Sequence, residues 1–257
     1  MPIVNVNGIH LNYRSEGTGT PVVMLTGFGG TLDFWNNVSD RLSTSHRIIT
    51  VDNRGVGGTI CDYDFTMRDI GDDIIALLDH LNIMEAHFVG WSMGSHVAQD
   101  LAIRYPDRVL TLTVMSSYRR RPSRSMYLLN DAVQAVEEGA SMEHLARTIN
   151  GLCYTESFFE RMESTAENIR LPALNRIEGL RAQLNAVDGY DTTLSASSIR
   201  CPTLSIHGVD DIMVECKEGD ALYDLIPNCE KLRIVNAGHL INPDLYIERL
   251  VEHLKKR

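Results

Sequence analysis

Three residues of the chain carry the side chains that nucleophilic catalysis needs. Ser92 lies in the run Gly-Trp-Ser-Met-Gly at positions 90–94, and His239 follows Ala-Gly near the end of the sequence. A serine hydroxyl is a poor nucleophile at neutral pH, so it needs a base within hydrogen-bonding reach and a third group that orients this base. His239 is the candidate base, and Asp210 and Asp211 are the candidates for the third group. Such a set could transfer an acyl group to water.

The residues around Ser92 predict a sharp turn between a strand and a helix. An apolar run rich in β-forming residues reaches Ser92, and a helical pattern continues from Met93 to Tyr105. A turn of this kind holds the serine in strained backbone geometry, and small residues two positions to either side prevent clashes. Because a random chain of this length contains the G-x-S-x-G pattern about one time in ten, the motif needs support from its partners.

The candidate partners follow two predicted strands. Asp210 and Asp211 come after the strand at 201–207, and His239 comes after the strand at 231–235. Functional groups in parallel sheets collect at the carboxyl ends of the strands. The chain order of serine, acid and histidine is the one associated with a serine on a strand-to-helix turn. An aspartate after a strand is also a common turn residue, so the residues alone leave both aspartates open.

Strand and helix patterns alternate along most of the chain. Residues 3–14 alternate in polarity around Asn7-Gly8, which predicts an antiparallel hairpin at a sheet edge. Continuous apolar runs, such as 21–26, predict strands that are buried on both faces. The alternation predicts an α/β fold with a mainly parallel sheet and helices on both faces.

The pattern changes between residues 117 and 200. Four helix-like stretches occupy this segment without a convincing strand, near 123–138, 141–151, 155–168 and 172–188. We therefore predict that residues 1–116 and 201–257 form the core of the fold and that 117–200 is an inserted helical cap.

Composition excludes several classes of protein. The chain has 257 residues and a formal net charge of −10, which argues against general nucleic-acid binding because that binding relies on neutralising phosphates. The five cysteines are scattered and lack metal-binding spacing, so we expect reduced, mostly buried thiols and no metal site.

Targeting and membrane signals are also lacking in the sequence. The N-terminus has no charged segment followed by an apolar core, and no apolar run approaches the ~20 residues of a membrane helix. We expect a cytoplasmic protein that acts on a small molecule and binds no membrane. The sequence leaves the oligomeric state open, a homo-oligomer included.

Together these motifs resemble those of α/β-hydrolase-fold serine hydrolases with a helical cap, over nearly the whole chain. Besides Ser92 and His239, the resemblance is carried by Gly-Phe-Gly at 27–29, Asp-Asn-Arg-Gly-Val-Gly at 52–57 and Gly-Val-Asp-Asp at 208–211. The arrangement is most similar to enol-lactonase-like and small-ester hydrolases. The resemblance implies that Ser92 is the nucleophile and His239 the base, without a cofactor. It selects Asp211 as the acid, since family members carry the acid three residues after the glycine.

The resemblance also implies two donors for an oxyanion hole, the backbone N–H groups of Phe28 and Met93. Met93 follows the nucleophile at the start of a helix, where the helix dipole favours negative charge. Many relatives have histidine where this chain has Thr26. Because the donor is a backbone group, we expect the replacement to affect the support of the loop more than the mechanism.

Other residues are candidates for substrate binding or for support of the fold. Trp91, Met126 and Tyr127 are candidates for the lining of an apolar acyl pocket. A cluster of arginines at the entrance to the cap either attracts an anionic substrate, such as a carboxylate-bearing lactone, or forms a solvated face. These arginines are Arg119, Arg120, Arg121 and Arg124. The glycine-rich run at 52–58 lacks the spacing of a nucleotide-binding loop, and the resemblance gives it a structural role.

The sequence therefore predicts hydrolysis of a carboxylic ester or lactone through an acyl-enzyme on Ser92. A C–C bond hydrolase of ring-fission products is the alternative, because it resembles the same pattern and uses the same three residue types. A ligand-binding protein on the same fold is a third possibility, since a fold alone does not establish function. The complete set of three residues argues against it.

Overall fold

All strands of the computed structural model, which describes residues 2–161 and 175–256, belong to a single sheet of eight strands. Their order across the sheet is β1-β2-β4-β3-β5-β6-β7-β8. The strands are β1 (Ile3–Val6), β2 (Ile9–Glu16), β3 (Thr20–Leu25), β4 (His46–Val51), β5 (Ala86–Trp91), β6 (Val109–Met115), β7 (Thr203–Gly208) and β8 (Cys229–Ile234).

The β1–β2 and β2–β4 pairs are antiparallel, and the remaining pairs, from β4 to β8 across the sheet, are parallel. Asn7 and Gly8 join β1 to β2 with φ values of 43° and 79°, the left-handed geometry that a two-residue hairpin requires. The predicted hairpin and the predicted parallel sheet are both confirmed.

Nine α-helices lie within the described residues, and the chain alternates between them and the strands. They are α1 (Asn36–Leu42), α2 (Met67–His80), α3 (Met93–Arg104), α4 (Ser123–Glu137), α5 (Met142–Cys153), α6 (Glu156–Arg161), α7 (Ile177–Asp188), α8 (Cys216–Tyr223) and α9 (Ile247–His253). Thr66 begins α2 with a capping box, in which its side chain accepts from the Asp69 N–H and its own N–H donates to the Asp69 carboxylate.

Apolar side chains cover both faces of the sheet. In β3, Val23 and Leu25 belong to the core that contains α2 and α3, whereas Val22 and Met24 belong to the core that contains α1 and α9. Successive side chains of a strand point to opposite faces, so a strand buried on both sides needs a continuous apolar run. This is the physical reason that the central strands could be predicted.

The helices α4 to α7 lie between β6 and β7, and we call them the helical insertion. Helices α4 and α5 agree with the predicted stretches. The third stretch is helical over Glu156–Arg161, and Thr155 before it is not helical. Residues 162–168 of this stretch and 172–174 of the fourth lie outside the described residues. Asn175 and Arg176 were predicted to be helical but precede α7, and Arg176 has extended backbone angles. The closing helix α9 begins only at Ile247, because Tyr246 at φ −136° separates it from a short 3-10 turn at Pro243–Leu245.

All five cysteines are free thiols, two of them buried and three half-buried. Burial raises the pKa of Cys201 to about 11 and the pKa of Cys229 to about 12. No helix within the described residues is long and apolar enough to cross a membrane.

Because a histidine at the end of α9 is buried, we expect the free energy of unfolding to fall in acid. The His253 ring is fully buried, and its Nε2–H donates to the carbonyl of Leu112 at 3.1 Å. Burial lowers the pKa of His253 from 6.5 to about 4. Between these values the unfolded chain binds the proton and the folded chain does not, so the free energy of unfolding must fall as the pH falls. We expect a contribution of up to ~1.4 kcal/mol per pH unit.

Urea unfolding between pH 7 and pH 4 measures this effect. The variant His253→Gln keeps a hydrogen-bond donor but cannot titrate, so its stability should depend less steeply on pH than that of the wild type. His80→Gln, which removes an exposed histidine from α2, is the matched control. Equal slopes for His253→Gln and the wild type would contradict the assignment.

Candidate active site

Ser92 occupies the turn between β5 and α3 in a strained conformation. Its φ of 53° and ψ of −118° lie outside the regions that non-glycine residues normally adopt, at a cost of ~1–3 kcal/mol. Its backbone N–H donates to the carbonyl of Met115 at 2.9 Å, and its own carbonyl accepts from the N–H of Ser95 at 2.9 Å. The turn is therefore held from both sides.

The two glycines of the motif allow close backbone packing around this turn. A Cβ atom at Gly90 would overlap the backbone of Gly94 and Ser95, and a Cβ atom at Gly94 would overlap the carbonyl of Leu25. The prediction that small residues prevent clashes two positions to either side of Ser92 is confirmed.

The turn brings Ser92 to His239 and Asp211. Ser92 Oγ is 2.9 Å from His239 Nε2, and His239 Nδ1 is 2.8 Å from Asp211 Oδ2. At most 3% of each residue is exposed. The three side chains therefore form a continuous hydrogen-bonded chain, with the spacing that proton transfer from a serine hydroxyl requires.

Asp211 is held as an ionised acceptor. Its Oδ1 accepts from the N–H groups of Met213 at 2.9 Å and Val214 at 2.8 Å. Burial opposes ionisation, but the electrostatic interaction with the His239 ring and the hydrogen bonds from His207 and His239 outweigh it and hold the pKa of Asp211 well below its usual range. Asp210 is exposed, and its N–H donates to the carbonyl of Ala237 at 3.0 Å. Of the two candidates, the structure brings Asp211 to the histidine.

His207 is a neighbour of the site that the sequence analysis missed. Its ring is fully buried, with Nε2 2.8 Å from the carbonyl of Val214 and 3.2 Å from Asp211 Oδ2. Because a carbonyl can only accept, Nε2 carries the proton. His207 thus faces the same carboxylate oxygen as His239. Its position at the end of β7, four residues before Asp211, was the available sequence signal.

The backbone of His239 is fixed by two donors to its carbonyl, Trp91 Nε1 at 2.9 Å and Ser116 Oγ at 2.8 Å. The Trp91 ring stacks on Phe34 with centroids 4.4 Å apart and lies 5.2 Å from the His239 ring. Trp91 therefore supports the histidine, and its role in lining a pocket stays a prediction.

The loop after β3 lies beside the serine. A Cβ atom at Gly27 would be 3.1 Å from Ser92 Cβ. The Gly27 carbonyl accepts from the N–H of Gly30 at 3.1 Å, and in a trans peptide the following N–H points the opposite way. Within residues 2–161 and 175–256, the N–H groups of Phe28 and Met93 donate to no protein acceptor. Neither N–H group is therefore committed to a protein acceptor.

Polar residues of neighbouring segments support this loop. Thr26 Oγ1 donates to the Gly30 carbonyl at 2.9 Å, and Asn53 Nδ2 donates to the Thr26 carbonyl at 3.2 Å. The Asp52 carboxylate accepts from the N–H groups of Leu32 and Gly58, each at 2.8 Å. The run at 52–58 thus has the structural contacts that the resemblance implied.

A family model described as alpha/beta hydrolase fold matches residues 20–244. The chain belongs to the α/β-hydrolase-fold family. BpoC of Mycobacterium tuberculosis, which carries the provisional name non-heme bromoperoxidase, is 31% identical over 90% of this chain and 91% of its own length. The 3-oxoadipate enol-lactonase 1 of Acinetobacter baylyi is 26% identical over 96% of this chain and 93% of its own.

A solved enol-lactonase structure from Burkholderia xenovorans LB400 superimposes on this α/β hydrolase with a TM-score of 0.89. The two are 26% identical, and the match covers 99% of this chain and 100% of the other. The resemblance to α/β hydrolases with esterase-like and lactonase-like relatives is therefore confirmed.

The two predicted pocket residues of α4 have different environments. Met126 is buried, whereas Tyr127 is 72% exposed. Adjacent residues of a helix lie about 100° apart around its axis, so the two side chains cannot point the same way. A place for either residue in an apolar pocket stays a prediction.

The arginines at the start of the insertion differ in exposure and in their partners. Arg124 is exposed and pairs with Glu215 at 3.1 Å, and Arg119 lies 3.8 Å from Glu218. Arg120 is exposed. Arg121 is buried, and it donates to Tyr118 Oη at 2.9 Å and Ser125 Oγ at 3.0 Å. A solvated face describes Arg120 and Arg124 but not Arg121.

A cavity of about 490 Å³ opens beside the loop that carries His239. The segment that follows α5, together with α6, borders it on one side and the residues after β8 border it on the other. Its lining includes Tyr154, Phe158, Gly238, Leu240, Ile241 and Pro243. A space of this size can hold a small molecule. Among the described residues, no group of three or more histidine, cysteine or acidic side chains is arranged to hold a metal ion.

The contacts of the two aspartates predict that substitution of Asp211 lowers the activity strongly and that substitution of Asp210 does not. Asp211→Asn should lower kcat for ester hydrolysis by about 10⁴-fold, because an amide favours the wrong tautomer of His239. Asp210→Asn, at an exposed position, should stay within about threefold of the wild type. Steady-state kinetics on both variants, with thermal unfolding to check folding, measures the difference. Equal losses, or a loss confined to Asp210→Asn, would rule out the assigned role of Asp211.

Proposed function

We propose that the protein hydrolyses a carboxylic ester or lactone through an acyl-enzyme on Ser92. The observation that carries the proposal is the unbroken hydrogen-bonded chain from Ser92 Oγ through His239 to Asp211, at 2.9 and 2.8 Å. It lies beside the free N–H groups of Phe28 and Met93. A nucleophile, a base, an orienting acid and two anion donors are the groups that acyl transfer needs.

In the first half of the reaction, Ser92 Oγ attacks the substrate carbonyl while His239 Nε2 takes the hydroxyl proton. Negative charge develops on the carbonyl oxygen, and the Phe28 and Met93 N–H groups stabilise it. Asp211 fixes His239 with its proton on Nδ1 and stabilises the ring once it is charged. The tetrahedral intermediate collapses, the C–O bond to the leaving group breaks, and His239 protonates the departing oxygen.

In the second half, water attacks the acyl-enzyme. His239 removes a proton from the water, the same N–H groups hold the new oxyanion, and the ester bond to Ser92 Oγ breaks. His239 returns its proton to the serine, and the carboxylic acid leaves. In a lactone both products of the ring opening stay in one molecule, so the first leaving group is the hydroxyl end of the acyl chain.

We propose further that residues 117–200 form a cap over the site. The C-terminal end of α5 contacts the loop that carries His239: the N–H of Leu240 donates to the carbonyl of Cys153 at 3.1 Å. A Cβ atom at Gly238 would lie 2.7 Å from the same carbonyl. A cap in close contact with the residues on both sides of His239 would exclude bulk water from the reacting groups.

Enol-lactonases among the similar proteins support the proposal of an ester or lactone substrate. Two of the similar proteins are enol-lactonases, and each match covers more than nine-tenths of both chains. The C–C bond hydrolase stays an alternative because the same three groups could serve it. A panel of substrates separates the two.

Removing the serine tests the proposal. The wild type should react with a fluorophosphonate probe at one serine, and Ser92→Ala should lose this labelling and at least about 10⁴-fold of its ester-hydrolysis rate. The substrate panel contains simple esters, enol lactones and a coloured vinylogous dienoate for C–C cleavage. Ser95→Ala, three residues further along the same turn, is the matched control and should still be labelled.

The possible outcomes are distinct. Labelling that persists in Ser92→Ala would contradict the assignment of the nucleophile. Turnover of the dienoate with no turnover of esters or lactones would favour the C–C bond hydrolase. A wild type that is neither labelled nor active on any member of the panel would favour a non-catalytic protein.

A further inference from the structure

Two buried amide side chains hold both polar groups of Gly29, which follows the proposed oxyanion donor Phe28. The N–H of Gly29 donates to Gln183 Oε1 at 3.0 Å. The carbonyl of Gly29 accepts from Asn175 Nδ2 at 2.6 Å. Gln183 belongs to α7, and Asn175 lies just before it. The helical insertion thus contacts the loop after β3 at the level of its backbone.

The other ends of the same two amides bind the loop after β4. Gln183 Nε2 donates to the carbonyl of Arg54 at 2.8 Å, and Asn175 Oδ1 accepts from the N–H of Gly57 at 3.1 Å. Each amide therefore uses its donor and its acceptor to connect two loops that are more than 20 residues apart. Gln183 is completely buried and Asn175 is 8% exposed.

The approach of α7 to these loops is close. A Cβ atom at Gly179 would overlap the carbonyl of Gly55, and a Cβ atom at Gly55 would lie 2.8 Å from the Gly179 Cα. Backbone meets backbone here, so α7 can move little without separating from the loop. The two amides are consequently held at fixed positions relative to the core of the fold.

We infer that Gln183 and Asn175 are positioning residues that set the oxyanion donor of Phe28; this inference rests on the proposed acyl transfer. Gly29 has a left-handed φ of 69°. Because glycine is conformationally permissive, its backbone could adopt many other angles if no contact held it. Fixing its N–H fixes the peptide that joins it to Phe28, and fixing its carbonyl fixes the peptide that joins it to Gly30. The Gly27 carbonyl, bonded to the Gly30 N–H, fixes the peptide before Phe28. The donor is thus held on both sides.

We call Gln183 and Asn175 the clamp. Its loss should act on the transition state more than on substrate binding. A backbone donor stabilises the oxyanion only when it lies close to the position that the oxygen will occupy. An interaction made only in the transition state affects kcat and kcat/KM equally. Deleting one oxyanion donor costs about 10²–10³-fold in kcat, so displacing one should cost less.

The test replaces Gln183 with leucine, which has a similar size but forms no hydrogen bonds. For a p-nitrophenyl ester, Gln183→Leu should lower kcat by about 10- to 100-fold and leave KM and the shape of the pH profile unchanged. Affinity for a trifluoromethyl ketone, which adds to Ser92 Oγ and places an alkoxide among the donors, should fall by the same factor. Asn175→Ala should show the same pattern.

Asn185→Ala is the matched control. Asn185 is an exposed residue of α7 that donates to Asp64 Oδ1 at 3.2 Å, so it also connects the insertion to the core but lies away from Gly29. It should keep the wild-type kcat. Circular dichroism and thermal unfolding establish that each variant folds, and if Gln183→Leu does not fold, Asn175→Ala decides on the same measurements.

Three results would overturn the inference. They are an unchanged kcat, a rise in KM without a fall in kcat, and a loss in Asn185→Ala that equals the loss in the clamp variants. An inactive, unlabelled wild type would instead contradict the proposed function itself. The two failures are therefore distinguishable, because the clamp is scored only by comparison with an active wild type.

Discussion

The close packing of three backbone segments at the nucleophile turn is the constraint on which the rest of the site depends. Gly90 lies against Gly94 and Ser95, and Gly94 lies against the carbonyl of Leu25 at the end of β3. The contact with Leu25 places the start of α3 next to the beginning of the loop that carries Phe28. The packing that forces Ser92 into φ 53° therefore also brings together the two N–H groups of the proposed oxyanion hole.

The fold tolerates the strained turn because the surrounding sheet is buried on both faces. The core strands contribute continuous apolar runs to two separate layers of packing, and burial on this scale outweighs a local strain of ~1–3 kcal/mol. The strand ends can then carry buried polar groups. Asp211, for example, has contacts from two backbone N–H groups and two histidines, so its charge is stabilised without solvent.

What could be predicted from the sequence follows from periodicity and local geometry. Strands buried on both faces require apolar runs, and a turn such as Asn7-Gly8 requires residues that tolerate positive φ; both leave a readable pattern. The proximity of Asp211 to His239 followed from the strand ends and the family spacing. Gln183 could not be predicted, because it contacts groups that are distant in sequence and a single buried polar residue has no periodicity. His207 was missed although it lies at a strand end four residues before Asp211. The exposure of Tyr127 depends on how α4 packs, which residue type does not determine.

The helical insertion contacts both the loop that carries His239 and the loop that carries Phe28. Cys153 of α5 binds the backbone of Leu240, next to the proposed base, and Gln183 of α7 binds the backbone of Gly29, next to a proposed oxyanion donor. These two loops follow β8 and β3, which are separated by three strands in the sheet order. A change in the insertion that reshapes the substrate pocket therefore also acts on the alignment of reacting groups. Since misalignment lowers kcat and a changed pocket alters KM, the two effects of an insertion residue must be separated by kinetics.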